Sequence, residues 1–241
     1  MNLAIAAIAV VVSYFFKGLC GFGNTLIFSS IMSFFANTVS ITPVESVLCL
    51  PSTSFIAWKN RKDLHWNIIL PVAGIMVAGC IPGILILKNS SPVALKIVFG
   101  LIVIALGVEM LLRDRAGKKG RGNKIVLGLI GLLAGIMSGL FGVGALMTAY
   151  MSRTTETAGE FRGNICMVFL INDLTRLVLY IMTGVLNAEI MAMVAKLAPF
   201  MLLGLAAGNL LADRINEKAV KKAITILLIL SGVSLVVTNL L

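Results

Sequence analysis

Asp173 and Arg176 stand three residues apart inside one of the long apolar runs of this chain, with Asn172 before them and Thr175 between. Residues at i and i+3 share a helix face, so one helix would present a carboxylate beside a guanidinium. Charge inside an apolar span is costly and marks a functional site. Read that way, Arg176 contributes to an anion site, while Asp173 orients it or carries a coupling proton. The structural alternative is a static ion pair that locks helices together. Lys17, about fifteen residues into the first apolar stretch, is equally costly unless paired, hydrated or snorkelling at an interface. It adjoins Gly18-Leu19-Cys20-Gly21-Phe22-Gly23, which is followed by Asn24, Thr25, Ser29 and Ser30. A half-helix starting after Gly21 would aim unpaired backbone N–H groups and a positive dipole end at its surroundings, a good arrangement for an anion.

The glycine segment recurs. Ser138-Gly139-Leu140-Phe141-Gly142-Val143-Gly144 matches residues 17–23 at an offset of 121, with Thr148 nearby. In lipid, irregular backbone survives only where protein or a wet cavity surrounds it. The breaks therefore mark a lined cavity or tight helix crossings through small residues. The same offset maps residues 172–176 onto Pro51-Ser52-Thr53-Ser54-Phe55. Those hydroxyls could donate to an anion beside a proline break, or back-bond to the preceding turn. The candidate substrate-binding set is Lys17, Gly21, Gly23, Asn24, Thr25, Ser52, Thr53, Ser54, Ser138, Gly142, Gly144, Asn172 and Arg176, with Asp173 for coupling.

Other residues have blander readings. Thr42-Pro43-Val44-Glu45 has the pattern of an N-cap, a first-turn proline and a capping-box glutamate, and Thr157-Ala158-Gly159-Glu160 has the same box spacing, so Glu45 and Glu160 read as helix caps, with proton carriers as the alternative. His65 is the only histidine, so a metal site is not expected. Cys20, Cys49, Cys80 and Cys166 lie in apolar segments without a CxxC pair and read as small buried hydrophobes. No nucleophile–base constellation or P-loop is present. The chain is therefore read as neither ATPase nor hydrolase, with no cofactor.

The elements that must position these groups follow from composition. Of 241 residues, 59% are hydrophobic and 12% charged, and the mean hydropathy is +1.03. Soluble domains carry roughly 25% charged residues. Apolar runs long enough to cross a bilayer recur at 41–58, 66–87, 92–112, 161–186, 188–212 and 219–240. The two glycine-broken stretches, 3–36 and 125–151, open the two halves. Gly79, Gly83, Ala94, Lys96 and Gly107 match Gly204, Gly208, Ala219, Lys221 and Gly232 at an offset of 125, one four-residue insertion beyond the first offset. The net charge of +10 lies mainly in short loops: Lys59, Arg61 and Lys62; Arg113 to Lys124; Arg214 to Lys222. That pattern sets membrane topology rather than binding nucleic acid. With all three loops in the cytoplasm, each broken stretch must enter and leave on one side, and the halves are opposite in orientation. Trp58 and Trp66 then sit at an interfacial aromatic belt.

The expected fold is an all-α integral membrane protein of two inverted-topology repeats, each a glycine-broken helical hairpin plus three transmembrane helices, about 8–10 membrane segments in total. The organisation is a first repeat over 1–112, a basic cytoplasmic linker at 113–124 and a second repeat over 125–241. Inverted repeats with broken helices are the architecture of many secondary transporters.

At Gly18–Gly23 and Gly139–Gly144, with the duplicated halves and the basic central loop, the chain resembles the TauE/SafE sulfite exporter family, also called the four-toluene sulfonate uptake permeases. The resemblance covers essentially the full length. It implies an anion permease of the cytoplasmic (inner) membrane, an exporter of sulfite, sulfonates or related sulfur-containing organic anions. The expected function is secondary, non-ATP transport of such anions by alternating access, with proton coupling through Asp173. The expected partners are a small anion and the lipid bilayer, and a homo-oligomer is compatible with the sequence. Two alternatives compete with transport: a non-transporting membrane scaffold or subunit, and a membrane enzyme acting on lipid phosphate.

Overall fold

The computed structural model describes residues 3–36, 38–89, 124–144, 146–148 and 158–211, with Met151 and short pieces of 91–108 and 229–237. Among the described residues every regular element is helical: α1 (Leu3–Cys20), α2 (Asn24–Met32), α3 (Thr38–Lys59), a 3₁₀ turn at Arg61–Asp63, α4 (Trp66–Asn89), α5 (Lys124–Phe141), α6 (Ala158–Met182) and α7 (Ala188–Leu211). Segments within α4, α6 and α7 are long and apolar enough to cross a membrane. The spans expected at 92–112 and 219–240, the linker up to residue 123 and the basic segment 213–222 lie largely or wholly outside the described residues.

Each broken stretch begins with a long helix. α1 and α5 have 18 residues each, about 27 Å at 1.5 Å per residue. α2, with 9 residues, is half that length and packs on α1. The break between them is made by glycine: Gly21 takes φ 83° and donates its N–H to the Lys17 carbonyl at 2.7 Å, ending α1 in the left-handed conformation open to a residue without Cβ. Gly142 does the same at φ 74°, donating to the Ser138 carbonyl at 2.8 Å.

The chain divides into two compact units: residues 1–42, 90–118 and 192–241, and residues 43–89 and 119–191. In the first unit α1 crosses α7. A Cβ on Gly204 would meet the Val11 carbonyl, and one on Gly208 the Phe15 carbonyl and the Gly18 Cα. In the second unit α4 crosses α5 in the same way, Gly79 on the Leu132 carbonyl and Gly83 on the Ile136 carbonyl and the Gly139 Cα. Residues 11, 15 and 18 become 132, 136 and 139 by the offset of 121, and 79 and 83 become 204 and 208 by the offset of 125. Both crossings are therefore one contact made twice, each between a broken stretch and the second long span of the other half. Both are parallel, because residue numbers rise together on the two helices. The two readings of the glycine segments thus divide by position: Gly18 and Gly139 serve helix crossings, Gly21 and Gly142 the breaks.

The parallel crossing puts the starts of α4 and α5 at one end of the second unit. The start of α6 joins them. The His65 N–H donates to Asn164 Oδ1 at 2.8 Å, His65 Nδ1 lies 3.5 Å from Glu160 Oε1, and Gly163 abuts the Asn60 carbonyl. Lys59, Arg61 and Lys62 share this end with the first residue of α5, Lys124. Trp58 and Trp66 flank the loop and are exposed.

Helix α3 departs from the sequence reading twice. It starts at Thr38, so Thr42-Pro43-Val44-Glu45 is not its N-terminal box, and Pro43 and Glu45 lie inside it. It also runs unbroken through Pro51. A capping-box pattern is local and weak beside burial, and prolines are accommodated in membrane helices when neighbouring groups take up the freed backbone polarity. The helix turns its polar residues inward: Thr42, Glu45, Ser46, Ser52 and Thr53 are buried, whereas Ser54, Phe55 and Trp58 are exposed. That inside-out polarity suits a helix whose outer face meets lipid.

Candidate functional site

The charged pair on α6 is as buried as the apolar core. Arg176 is 1% exposed and Asp173 5%. Arg176 Nη1 donates to Asp173 Oδ1 at 3.2 Å, and Nη2 donates to the Tyr180 hydroxyl at 3.0 Å, with the guanidinium carbon 5.5 Å from the Tyr180 ring centroid. Asp173, Arg176 and Tyr180 lie on successive turns of one helix, so these bonds orient the guanidinium without tying α6 to a neighbour. Nε has no hydrogen-bond partner among the described residues.

Other helices of the second unit bring polar groups to the same level. Glu45 of α3 and Cys80 of α4 are within electrostatic reach of Arg176. Helix rise explains why. α3 ends where α6 begins, so the two run in opposite directions. Glu45 lies about 20 Å up from the loop end, Cys80 about 20 Å up α4, and Arg176 about 20 Å beyond Gly163, at 1.5 Å per residue. Cys80 also faces α5, since its carbonyl adjoins Gly139. Next to Gly139, buried Ser138 accepts a 2.7 Å hydrogen bond from Asn172 Nδ2, which ties the second break to the charged turn of α6. Asn172 Oδ1 and Ser46 Oγ are buried without hydrogen-bond partners among the described residues.

Of the residues marked in the sequence, the structure thus unites Ser138, Asn172, Asp173 and Arg176 in the second unit, with Gly142 capping α5 beside them. Gly144 packs against the Phe169 ring, where a side chain has no room. Ser52 and Thr53 do not join this level. They lie about 10 Å along α3 from Glu45 by helix rise, where Ser52 Oγ donates to the Cys49 carbonyl at 2.7 Å and Thr53 Oγ1 is 3.1 Å from Cys49 Sγ. Ser54 is exposed on the opposite face. The first break belongs to the other unit. There Lys17 is 2% exposed in the last turn of α1, its Nζ 5.6 Å from the Tyr14 ring centroid, so it does not snorkel outward. Gly23 takes φ 91° and precedes α2, whose Asn24, Thr25, Ser29 and Ser30 are all buried.

Cys80 and Tyr180 are members of the cluster that sequence reasoning passes over, and Glu45 is one that its capping pattern disguises. Tyr180 was accessible, because it follows Arg176 by four residues and so lies on the same face. For Glu45 the usable signal is spacing: Thr42, Glu45, Cys49 and Ser52 recur every three or four residues, a polar stripe that only an inward-facing helix tolerates in lipid.

A cluster of this kind, an oriented guanidinium among hydroxyl, amide and carboxyl groups beside a helix break, can hold a small oxyanion and exchange a proton with it. It holds no arrangement for nucleophilic attack among the described residues. Comparison with known protein families matches residues 5–235 to the family described as Sulfite exporter TauE/SafE. No curated protein and no solved structure matches the chain. With the match spanning nearly the whole sequence, and with several apolar helices built around buried charge, the chain belongs to the sulfite exporter TauE/SafE family of membrane transporters.

Proposed function

We propose that this protein is a secondary transporter that exports small sulfur oxyanions (sulfite, sulfonates or related organic anions) across the cytoplasmic membrane. The observation that carries the reading is Arg176: a guanidinium 1% exposed, held in place by Asp173 and Tyr180, with its Nε–H unmatched by any acceptor among the described residues. A buried donor left unpaired costs about 1–3 kcal/mol. A sulfonate or sulfite oxygen supplies the missing acceptor, and guanidinium geometry suits planar arrays of anionic oxygens. Ser138 and Asn172 line the same level, Gly142 and Gly144 shape the break beside it, and Asp173 orients the guanidinium. In the first unit, Lys17, Gly21, Gly23, Asn24 and Thr25 form a second polar patch for the anion. The doubled crossing supports a duplicated transporter, and the cationic end shared by Lys59, Arg61, Lys62 and the start of α5 supports that end as cytoplasmic. Alternating access of two inverted repeats is the mechanism this arrangement favours.

Purified protein in liposomes is expected to move sulfite or a sulfonate. Arg176→Ala should abolish that flux while the protein still elutes as a folded species. Arg176→Lys, which keeps the charge but loses the Nε–H and the fork, should lose most of it. Undiminished flux in Arg176→Ala across a panel of such anions would remove Arg176 from the site.

A further inference from the structure

We propose that the site beside Arg176 selects small sulfur monoanions that carry their own hydrogen-bond donor, such as hydrogensulfite, and that the side-chain oxygen of Asn172 reads that donor. The inference rests on the anion-transport reading above. It names the substrate class and the residue that discriminates within it.

Asn172 is 1% exposed and commits its amide nitrogen to Ser138 Oγ at 2.7 Å. In that orientation Oδ1 is a buried acceptor with no partner among the described residues. Arg176 stands four residues further along α6 and is equally buried. It commits Nη1 to Asp173 and Nη2 to Tyr180, and its Nε–H is a buried donor with no partner among the described residues. The hydroxyl between them on the helix is already engaged, since Thr175 Oγ1 donates to the Ile171 carbonyl at 3.0 Å. This face of α6 thus offers a ligand one donor and one acceptor, a helical turn apart. Side chains at i and i+4 have Cβ atoms about 5–6 Å apart. Hydrogen bonds of about 3 Å on either side of one small tetrahedral anion span such a gap.

A simple alkanesulfonate answers half of this demand. Its oxygens accept from Nε–H, but it has nothing to donate to Asn172 Oδ1, and a buried acceptor stays unpaired. The sulfite dianion has the same defect and adds charge repulsion with the amide oxygen. Hydrogensulfite in its S–OH form carries acceptor oxygens and an O–H on one sulfur, so it satisfies both groups. Sites that hydrogen-bond a substrate's O–H or N–H reject analogues lacking it, because their own buried polar groups are left unmatched.

The test compares methanesulfonate with sulfamate, two monoanions of nearly equal size. One carries a methyl group on sulfur where the other carries an NH2. Each is titrated into the purified native protein in detergent and followed by calorimetry. Sulfamate should bind about five- to a hundredfold more tightly, and should inhibit sulfite flux in liposomes at correspondingly lower concentration. Asn172→Leu, which keeps the size of the side chain and removes the acceptor, should abolish this preference. The ratio of affinities is the readout, because a general loosening of the site lowers both affinities without favouring either anion. Native protein that binds methanesulfonate as tightly as sulfamate, or that binds sulfite but not sulfamate, would overturn the proposal whether or not the variant folds. So would a preference for sulfamate that survives in Asn172→Leu. If the native protein binds none of the three anions, the transport reading itself fails and takes this proposal with it.

Discussion

Gly74 and Gly83 lie nine residues apart on α4 and face different surroundings. Alanine at Gly83 would place a methyl group against the Ile136 carbonyl oxygen, with the Gly139 Cα only 3.0 Å away. Both neighbours are backbone, so relief requires α4 and α5 to separate rather than a side chain to rotate. Overpacking of this kind costs about 1–3 kcal/mol, and a backbone contact belongs in the upper part of that range. Alanine recovers about 1 kcal/mol in helix propensity over glycine. At Gly74 a Cβ would meet nothing within 4 Å, so only the propensity gain remains. Gly83→Ala is therefore expected to be less stable than Gly74→Ala by about 2–3 kcal/mol. For a chain of this size that corresponds to roughly 4–12 °C in melting temperature. The assay is the fraction of detergent-solubilised protein that survives heating, read by size-exclusion chromatography. In the first unit Gly208→Ala should lose as much as Gly83→Ala, since its methyl would meet the Phe15 carbonyl. Equal melting temperatures for Gly83→Ala and Gly74→Ala would refute the close crossing and, with it, the equivalence of the two units' packing. Transport should fall too in Gly83→Ala, because pushing α5 away carries Ser138 off Asn172.

Two further substitutions probe the cluster directly. Ser138→Ala removes the acceptor of the 2.7 Å bond from Asn172, leaving a buried amide unpaired; a loss of about 1–3 kcal/mol in stability is expected by the same heating assay. Tyr180→Phe removes the 3.0 Å partner of Arg176 Nη2. A hydrogen bond to a charged group is worth about 1.5–3 kcal/mol, so methanesulfonate affinity measured by calorimetry should change by at least tenfold, and an unchanged affinity would remove Tyr180 from the orienting shell.

The membrane character of the chain is legible because a bilayer imposes a crude, additive demand: long runs of apolar residues with charge confined to loops. The glycine breaks are legible for a related reason. Gly21 and Gly142 adopt positive φ, a conformation that few other residues enter cheaply, so the residue type announces the backbone. The two constant offsets read from the sequence recur in the packing of Gly79 and Gly83 on one side and Gly204 and Gly208 on the other. What misled was short-range pattern. Thr42-Pro43-Val44-Glu45 carries every mark of a helix start, yet the helix begins a turn earlier. Ser52, Thr53 and Ser54 correspond by offset to residues 173–175, yet none of them reaches the level of Arg176.

Sequence alone thus determined the medium, the places where helices break, and that Asp173 and Arg176 share a face, since these depend on composition, on single-residue conformational preference and on the periodicity of one helix. Which residue of another helix meets Arg176 depends on the direction and register in which helices pack. The parallel crossing through Gly79, Gly83, Ile136 and Gly139 sets α4 against α5, and the loop contacts at Asn60, His65 and Glu160 set the start of α6. Tertiary structure therefore decided that Ser138 of α5 meets Asn172 beside the buried guanidinium.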